Sequence, residues 1–280
     1  MAIKIVTDST VGLEREYIKA NDVTVVPLKI IFPDEEYTEG FPGEFDSFYD
    51  KMAATKAFPK TSQPSPDQFK KIFKKITDEG DEVICITLCA NLSGTYNSAR
   101  LASEKYSDKV SVIDSTTACQ AVALLVYEMR DMILAGKNRA EIVAHIEKIK
   151  HNTSILLVPE TLEYFKRGGR IGTVSAVVGS LLNLKPILQY KHSKLTNIKK
   201  CFGLKKAIMD IVSMIPKNIK SLAVACSTTT STFYDFFKEK VTSAVSGIVD
   251  KAKIFFGQLT PVVCAHTGPG TLGLGFIEQD

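Results

Sequence analysis

Ser93, Gly94 and Thr95 stand between an apolar run ending at Leu88 and a helical pattern that opens at about residue 95. Hydroxyls and backbone N–H groups gathered at a helix N-terminus can receive an anion. The same three residues would equally serve as cap and turn. Thr61 and Ser62, within Lys60-Thr-Ser-Gln-Pro-Ser-Pro66, add hydroxyl donors if their loop closes over that helix end. His266 is read as the end of a buried strand, and Gly268 and Gly270 behind it permit close approach of another segment or a ligand. In Lys166-Arg-Gly-Gly-Arg-Ile-Gly172, Gly168 or Gly169 would stop a helix with a left-handed residue. Arg170 is then either a helix-end cation or a fork shaped for a carboxylate or phosphate. Two chemistries suit this set: recognition of an anionic group, or acyl-ester hydrolysis with Ser93 as nucleophile and His266 as base. Asn91-Leu-Ser-Gly-Thr95 lacks the G-x-S-x-G pattern, which weakens the second.

Other chemistries are excluded by what surrounds the motifs. Gly268, Gly270 and Gly273 have the G-x-G-x-x-G spacing, but a dinucleotide site needs a helix behind the glycines and an acidic residue ~20 positions on. Only seven residues follow Gly273. The phosphate-loop and H-E-x-x-H patterns are absent. The six cysteines contain no C-x-x-C, and with no histidine near Cys85 or Cys89 they read as reduced core residues, not metal ligands.

The net charge of +4 conceals an asymmetry: residues 148–220 hold 14 Lys or Arg against three acidic residues, so the rest of the chain carries −7. That suits an anionic ligand or an acidic partner as well as a solvated surface. Nucleic acid is not expected, because the basic residues are not interleaved with stacking aromatics. No signal-peptide pattern and no membrane-length apolar run is visible, so a cytoplasmic location is expected.

These residues need elements to hold them. In the first half short apolar strands (3–7, 23–31, 83–88, 110–113) alternate with helical stretches (69–77, 95–106, 117–134), which predicts a parallel sheet covered by helices on both faces. Ligands bind beyond the carboxyl ends of such strands, directing attention to Thr7-Asp-Ser-Thr10, the 87–95 loop and Asp114-Ser-Thr-Thr117. Residues 38–66 read as loop around a helix at 45–54, with Ser65 capping the next helix. After a helix at 139–150 the pattern changes. It predicts a strand at 154–159, helices at 162–167 and 174–182, paired strands at 186–190 and 194–198, and a helix at 204–214. A strand at 222–226, a helix at 233–240 and final strands at 253–256 and 261–266 follow. A boundary at about 152 is expected, giving an α/β/α domain over 1–152 and a smaller α/β domain with a mixed sheet over 153–280.

Five motifs in this order, Val6-Thr-Asp-Ser-Thr10, Thr61-Ser-Gln-Pro-Ser-Pro66, Leu92-Ser-Gly-Thr-Tyr-Asn-Ser-Ala99, Phe165-Lys-Arg-Gly-Gly-Arg-Ile-Gly172 and His266-Thr-Gly-Pro-Gly270, resemble the DegV family. The resemblance implies the fatty-acid-binding subunit of a bacterial two-component fatty-acid kinase, without catalysis of its own and without a cofactor or metal. One long-chain fatty acid would lie in an apolar tunnel between the domains while a separate ATP-dependent kinase subunit converts its carboxylate to an acyl-phosphate. Transient contact with a membrane acyltransferase would follow. Carried over by position, Thr61, Ser62, Ser93, Gly94, Thr95 and His266 would surround the carboxylate, and Arg170 would serve the kinase or the transferred phosphate. A head group held by a few donors orients the chain. The tail supplies affinity, about sixteen carbons at ~0.8 kcal/mol per methylene giving on the order of 10 kcal/mol before binding costs. Residues 121–126 and 174–184 could line the tunnel or simply fill the core. The sequence departs from the family pattern at Leu88-Cys-Ala90 and Cys201-Phe-Gly203.

Overall fold

The computed structural model describes residues 1–55, 57–172, 174, 184–228 and 231–279. The chain starts with β1 (Ile3–Asp8), α1 (Arg15–Asn21), β2 (Val23–Val26), β3 (Lys29–Ile31), β4 (Glu36–Thr38), α2 (Asp46–Thr55) and β5 (Lys60–Ser62). Next come α3 (Pro66–Asp78), β6 (Glu82–Thr87), α4 (Thr95–Ser103), β7 (Val110–Asp114), α5 (Gln120–Leu134) and α6 (Arg139–Ile149). The remainder is β8 (Thr153–Val158), α7 (Glu163–Arg167), β9 (Leu184–Lys191), β10 (Lys194–Phe202), α8 (Leu204–Ser213), β11 (Ile219–Cys226), α9 (Thr232–Ala244), β12 (Ile254–Gln258), α10 (Pro261–Thr267) and β13 (Leu272–Glu278).

Strands β2-β1-β6-β7 form a parallel sheet. Successive side chains of a strand point to opposite faces, and both faces are covered here. Ile5, Ile84 and Ile86 meet α5 and α6, while Val6, Val83 and Cys85 meet Phe69 and Phe73 of α3 and Ala99 of α4. The later strands make a mixed sheet in the order β10-β9-β8-β13-β11-β12, antiparallel except for β11 with β12. Leu222 and Val224 of β11 and Leu272, Leu274 and Phe276 of β13 bury one face of it against Ile208, Ile211, Phe237 and Val241 of α8 and α9. The opposite face turns toward α5. One apolar cluster, which includes Ile5, Leu125, Ala223 and Ile277, runs through both halves of the chain.

Four expectations are corrected. The run 23–31 is not one strand: Pro27 brings no N–H to a ladder, and β2 joins the parallel sheet while β3 pairs with β4 and β5 in a small antiparallel sheet. The segment 38–66 is consequently less irregular than its prolines suggest, since Lys60–Ser62 is paired in register with Lys29–Ile31. Residues 261–266 form a helix, not a strand, with Pro261 in its first turn, where its missing N–H and fixed φ suit a helix start. His266 therefore lies in the last turn of α10. The glycine run itself supplies the strand: β13 begins at Leu272 and sits between β8 and β11. Ser65 does cap α3, with the reciprocal bond from its own N–H to Gln68. Of the expected helix at 174–182, residues 175–182 lie outside the described residues.

Candidate functional site

The ends of β1, β6 and β7 position the loop that carries Ser93. Asp8 is fully buried and accepts from the Thr10 N–H at 3.0 Å, the Thr10 hydroxyl at 2.5 Å and the Leu88 N–H at 2.7 Å. Burial pushes its carboxyl above the usual range, against the pull of these bonds. Cys89 N–H donates to the Thr117 carbonyl at 2.8 Å and Ala90 N–H to Asp114 at 3.1 Å. So anchored, Ser93 and Thr95 reach the start of α4 with their hydroxyls 2.9 Å apart, and Ser93 Oγ accepts from the Thr95 N–H at 3.3 Å.

Thr61 arrives on β5 and His266 on α10, 205 positions apart in sequence. Thr61 Oγ1 and His266 Nε2 share a hydrogen bond of 2.8 Å. Burial, followed by the charge of Arg170, lowers the His266 pKa from 6.5 to about 4, so the imidazole is neutral at pH 7. Its other nitrogen lies against Gly168, where a Cβ would come within 2.4 Å of Nδ1. The Gly-Gly pair thus has two separate uses: Gly169 takes the left-handed conformation (φ +71°), and Gly168 makes room for the imidazole. Arg170 donates from Nε and Nη2 to the Leu92 carbonyl at 3.2 and 3.0 Å, and from Nη1 to the Gly168 carbonyl at 2.6 Å. Its fork ties the α7 turn to the residue before Ser93.

Thr61, Ser93, Arg170 and His266 line one cavity of about 1030 Å³ of atom-free space, mouth included. Ser62, Gly94 and Thr95 are not among its lining residues; Thr95 is buried behind Ser93, and the Gln63 amide lies over Gly94. Away from the hydroxyls the wall is apolar. Gly273 and Gly275 of β13 pair with Leu157 and Ile155 of β8 on one side and with Ala225 and Ala223 of β11 on the other. All six line the cavity, as do Ala118 and Ala121 opposite them. Glycine and alanine on that face hold α5 close yet leave space: a Cβ on Gly275 would sit 3.0 Å from the Ala121 methyl. Of the run 121–126, Ala121 lines the cavity and residues 122–126 fill the core. The small-residue face of β13 was missed, because its alternation was hidden inside a run read as turn.

The hydrolase arrangement is not formed. Ser93 bonds Thr95 and His266 bonds Thr61, with no hydrogen bond joining Ser93 to His266. No group of three or more His, Cys, Asp or Glu able to hold a metal lies among the described residues. Nor is any helix there long and apolar enough to cross a membrane. Asp8 lies in the Thr7-Asp-Ser-Thr10 segment to which the sequence directs attention, whereas Glu39, the other buried carboxyl beside the site, gives no such signal, since a buried acid leaves no periodic trace in a sequence.

Fold and site together define an α/β protein that encloses an apolar cavity behind a mouth of hydroxyls and a neutral imidazole. The family model described as "Uncharacterised protein, DegV family" matches residues 2–279. The chain belongs to the DegV family. It is 34% identical to a DegV domain-containing protein of Clostridium acetobutylicum over 99% of both chains. Among solved structures it is similar to a fatty-acid-binding DegV family protein from Thermus thermophilus (TM-score 0.89, 29% identity, all of both chains). It is likewise similar to a stearic acid-binding protein from Eubacterium ventriosum (TM-score 0.87, 28% identity, 99% of this chain and 98% of the other).

Proposed function

We propose that this protein binds one long-chain fatty acid in the cavity and presents its carboxylate to a separate ATP-dependent kinase subunit, which converts it to an acyl-phosphate. The observation that carries the reading is the cavity's division into a glycine- and alanine-lined apolar body and a mouth bearing Thr61, Ser93 and His266. Full-length similarity to proteins described as fatty-acid-binding supports it. With Nε2 protonated, neutral His266 donates to Thr61 Oγ1, and the Thr61 hydroxyl is left free to donate to a carboxylate. Ser93 supplies a second hydroxyl.

In this reading residues 1–152 form a domain with the carboxylate-binding loops, and 153–280 a domain that covers the acyl chain and faces the kinase, with His266 closing the head from the second. Ser62, Gly94 and Thr95 act behind the contact, by backbone shape and by holding Ser93. Arg170 holds the mouth together and offers its charge to the kinase or the transferred phosphate. The acyl carboxylate is the nucleophile, so the contribution of this chain is positioning.

Native mass spectrometry of the purified chain, followed by denaturation and identification of any released molecule, tests the first step. One fatty acid per chain, of narrow chain length, is expected. A bare protein that takes up no added fatty acid would overturn the reading. Incubating the loaded protein with ATP and a kinase subunit tests the second: acyl-phosphate should form with both proteins present and with neither alone.

A further inference from the structure

Glu39 directly follows β4 and is 3% exposed. One carboxyl oxygen accepts from the Val262 N–H, in the first turn of α10, at 2.6 Å; the other accepts from the Ser9 hydroxyl at the end of β1. Ser9 Oγ also accepts from the Leu28 N–H at 3.0 Å, and the Glu39 N–H donates to the Leu28 carbonyl at 2.9 Å. No cation is paired with this carboxyl among the described residues, and Asp8 adds a second negative group nearby. Burying a carboxyl without a cation is costly, and its hydrogen bonds offset only part of that cost.

What they hold is the pair at the mouth. His266 lies four residues after Val262, one helical turn along the same face of α10. Thr61 lies on β5, in the small sheet with β3 and β4, and Glu39 is the residue that leaves β4. The carboxyl therefore grips the helix carrying one partner from the sheet carrying the other. We propose that Glu39 is a positioning residue of the carboxylate site, clamping α10 to the small sheet and to the end of β1 so that His266 stays in contact with Thr61. Its effect on binding rests on the fatty-acid reading above; its effect on His266 does not.

Burial pushes the Glu39 carboxyl up to about 7, with the bonds from Ser9 and Val262 opposing and the charge of Asp8 adding to the rise. Tyr37 on β4, Tyr49 on α2 and Cys119 before α5 are the other titratable groups that feel its charge.

The test reads His266 and affinity separately. In ligand-free protein, the ring signals of His266 in a histidine-labelled NMR spectrum should shift and broaden in Glu39→Leu and move little in Glu39→Gln. The amide can still accept from the Val262 N–H while donating to Ser9 Oγ. Palmitate affinity should fall about tenfold in Glu39→Leu, recover mostly in Glu39→Gln, and fall no more than about twofold further when Glu39→Leu is added to His266→Ala, because a residue acting through His266 has nothing left to act on. Should Glu39→Leu not fold, Ser9→Ala removes one arm of the clamp and should perturb His266 in the same sense. Unchanged His266 signals in Glu39→Leu or Ser9→Ala, or losses that multiply in the double variant, would overturn the proposal. A wild-type protein that binds no palmitate would end the functional reading and leave the NMR comparison decisive for Glu39.

Discussion

A buried carboxyl and a half-buried imidazole near the mouth have pKa values displaced in opposite directions, and their effects on stability oppose each other. The folded-state value of Glu39 is raised from 4.5 to about 7, so the folded protein holds that proton more tightly than the unfolded chain does. Its contribution weakens as pH climbs from about 4.5 through 7. His266 is lowered from 6.5 to about 4, so its contribution is present above 6.5 and is lost as pH falls toward 4. Each is worth on the order of 3 kcal/mol, and between pH 4.5 and 6.5 they largely cancel. Denaturant unfolding of Glu39→Gln should accordingly show a steeper acid loss below pH 6.5 than wild type, whereas His266→Gln should become less stable from pH 5 to 7. Gly168 offers a purely steric test. Its φ of −73° suits any residue, but a methyl would meet His266 Nδ1 at 2.4 Å and the Tyr164 carbonyl at 3.0 Å. Gly168→Ala should leave the fold intact and weaken fatty-acid binding about as much as His266→Ala, measured by displacement of a fluorescent fatty acid.

The strand β13 contributes by what it lacks. Leu272, Leu274 and Phe276 fill the core toward α8 and α9, and the alternate positions Gly273 and Gly275 leave the opposite face open. Glycine weakens a strand, and two in a central strand are explained by the cavity they bound. Gly275→Val would drive two methyls into Ala121 and α5, and such overpacking costs about 1–3 kcal/mol. Chemical denaturation should register that loss. The variant should also accept shorter acyl chains than wild type, which competition between fatty acids of graded length would reveal. Gly268 and Gly270 serve a different end: both have positive φ, and a Cβ on them would strike the Tyr164 ring at 2.5 Å and the Glu160 side chain at 2.9 Å. They let the chain turn tightly from α10 into β13.

Across the whole molecule, the apolar cluster that joins Ile5 and Leu125 to Ala223 and Ile277, together with the Tyr127–Phe255 stack at 4.1 Å, makes the two halves share a core. A ligand held between them stabilises both. Saturation at a hundredfold excess over Kd contributes about 2.7 kcal/mol. For a chain of 280 residues that is a rise in Tm of roughly 5 °C. A delipidated sample titrated with fatty acids in a thermal-shift assay should show this rise for one narrow class of chain length, and a smaller rise for alkanes of equal length, which keep the buried methylenes but lack the carboxylate.

The sequence alone determined the alternation of strands and helices, the parallel first sheet and the hydroxyl-bearing loop at Ser93. Those features are written in local periodicity and in turn and cap residues, which report on near neighbours. It misread Val262 and Val263 as strand, because β-branched residues and a six-residue apolar run look alike in a short buried helix and a short strand. Only the tertiary structure decided that Thr61 meets His266, that Arg170 spends its donors on the carbonyls of Leu92 and Gly168, and that Glu39 grips Val262. The Arg170–Gly168 bond is local, but the others join segments far apart in the chain, and the packing of α10 against the small sheet brings His266 to Thr61 and Val262 to Glu39. The cavity is of the same kind: glycines in β13, alanines in β11 and Ala121 in α5 are unremarkable one by one, and become a space only when sheet and helix set them face to face.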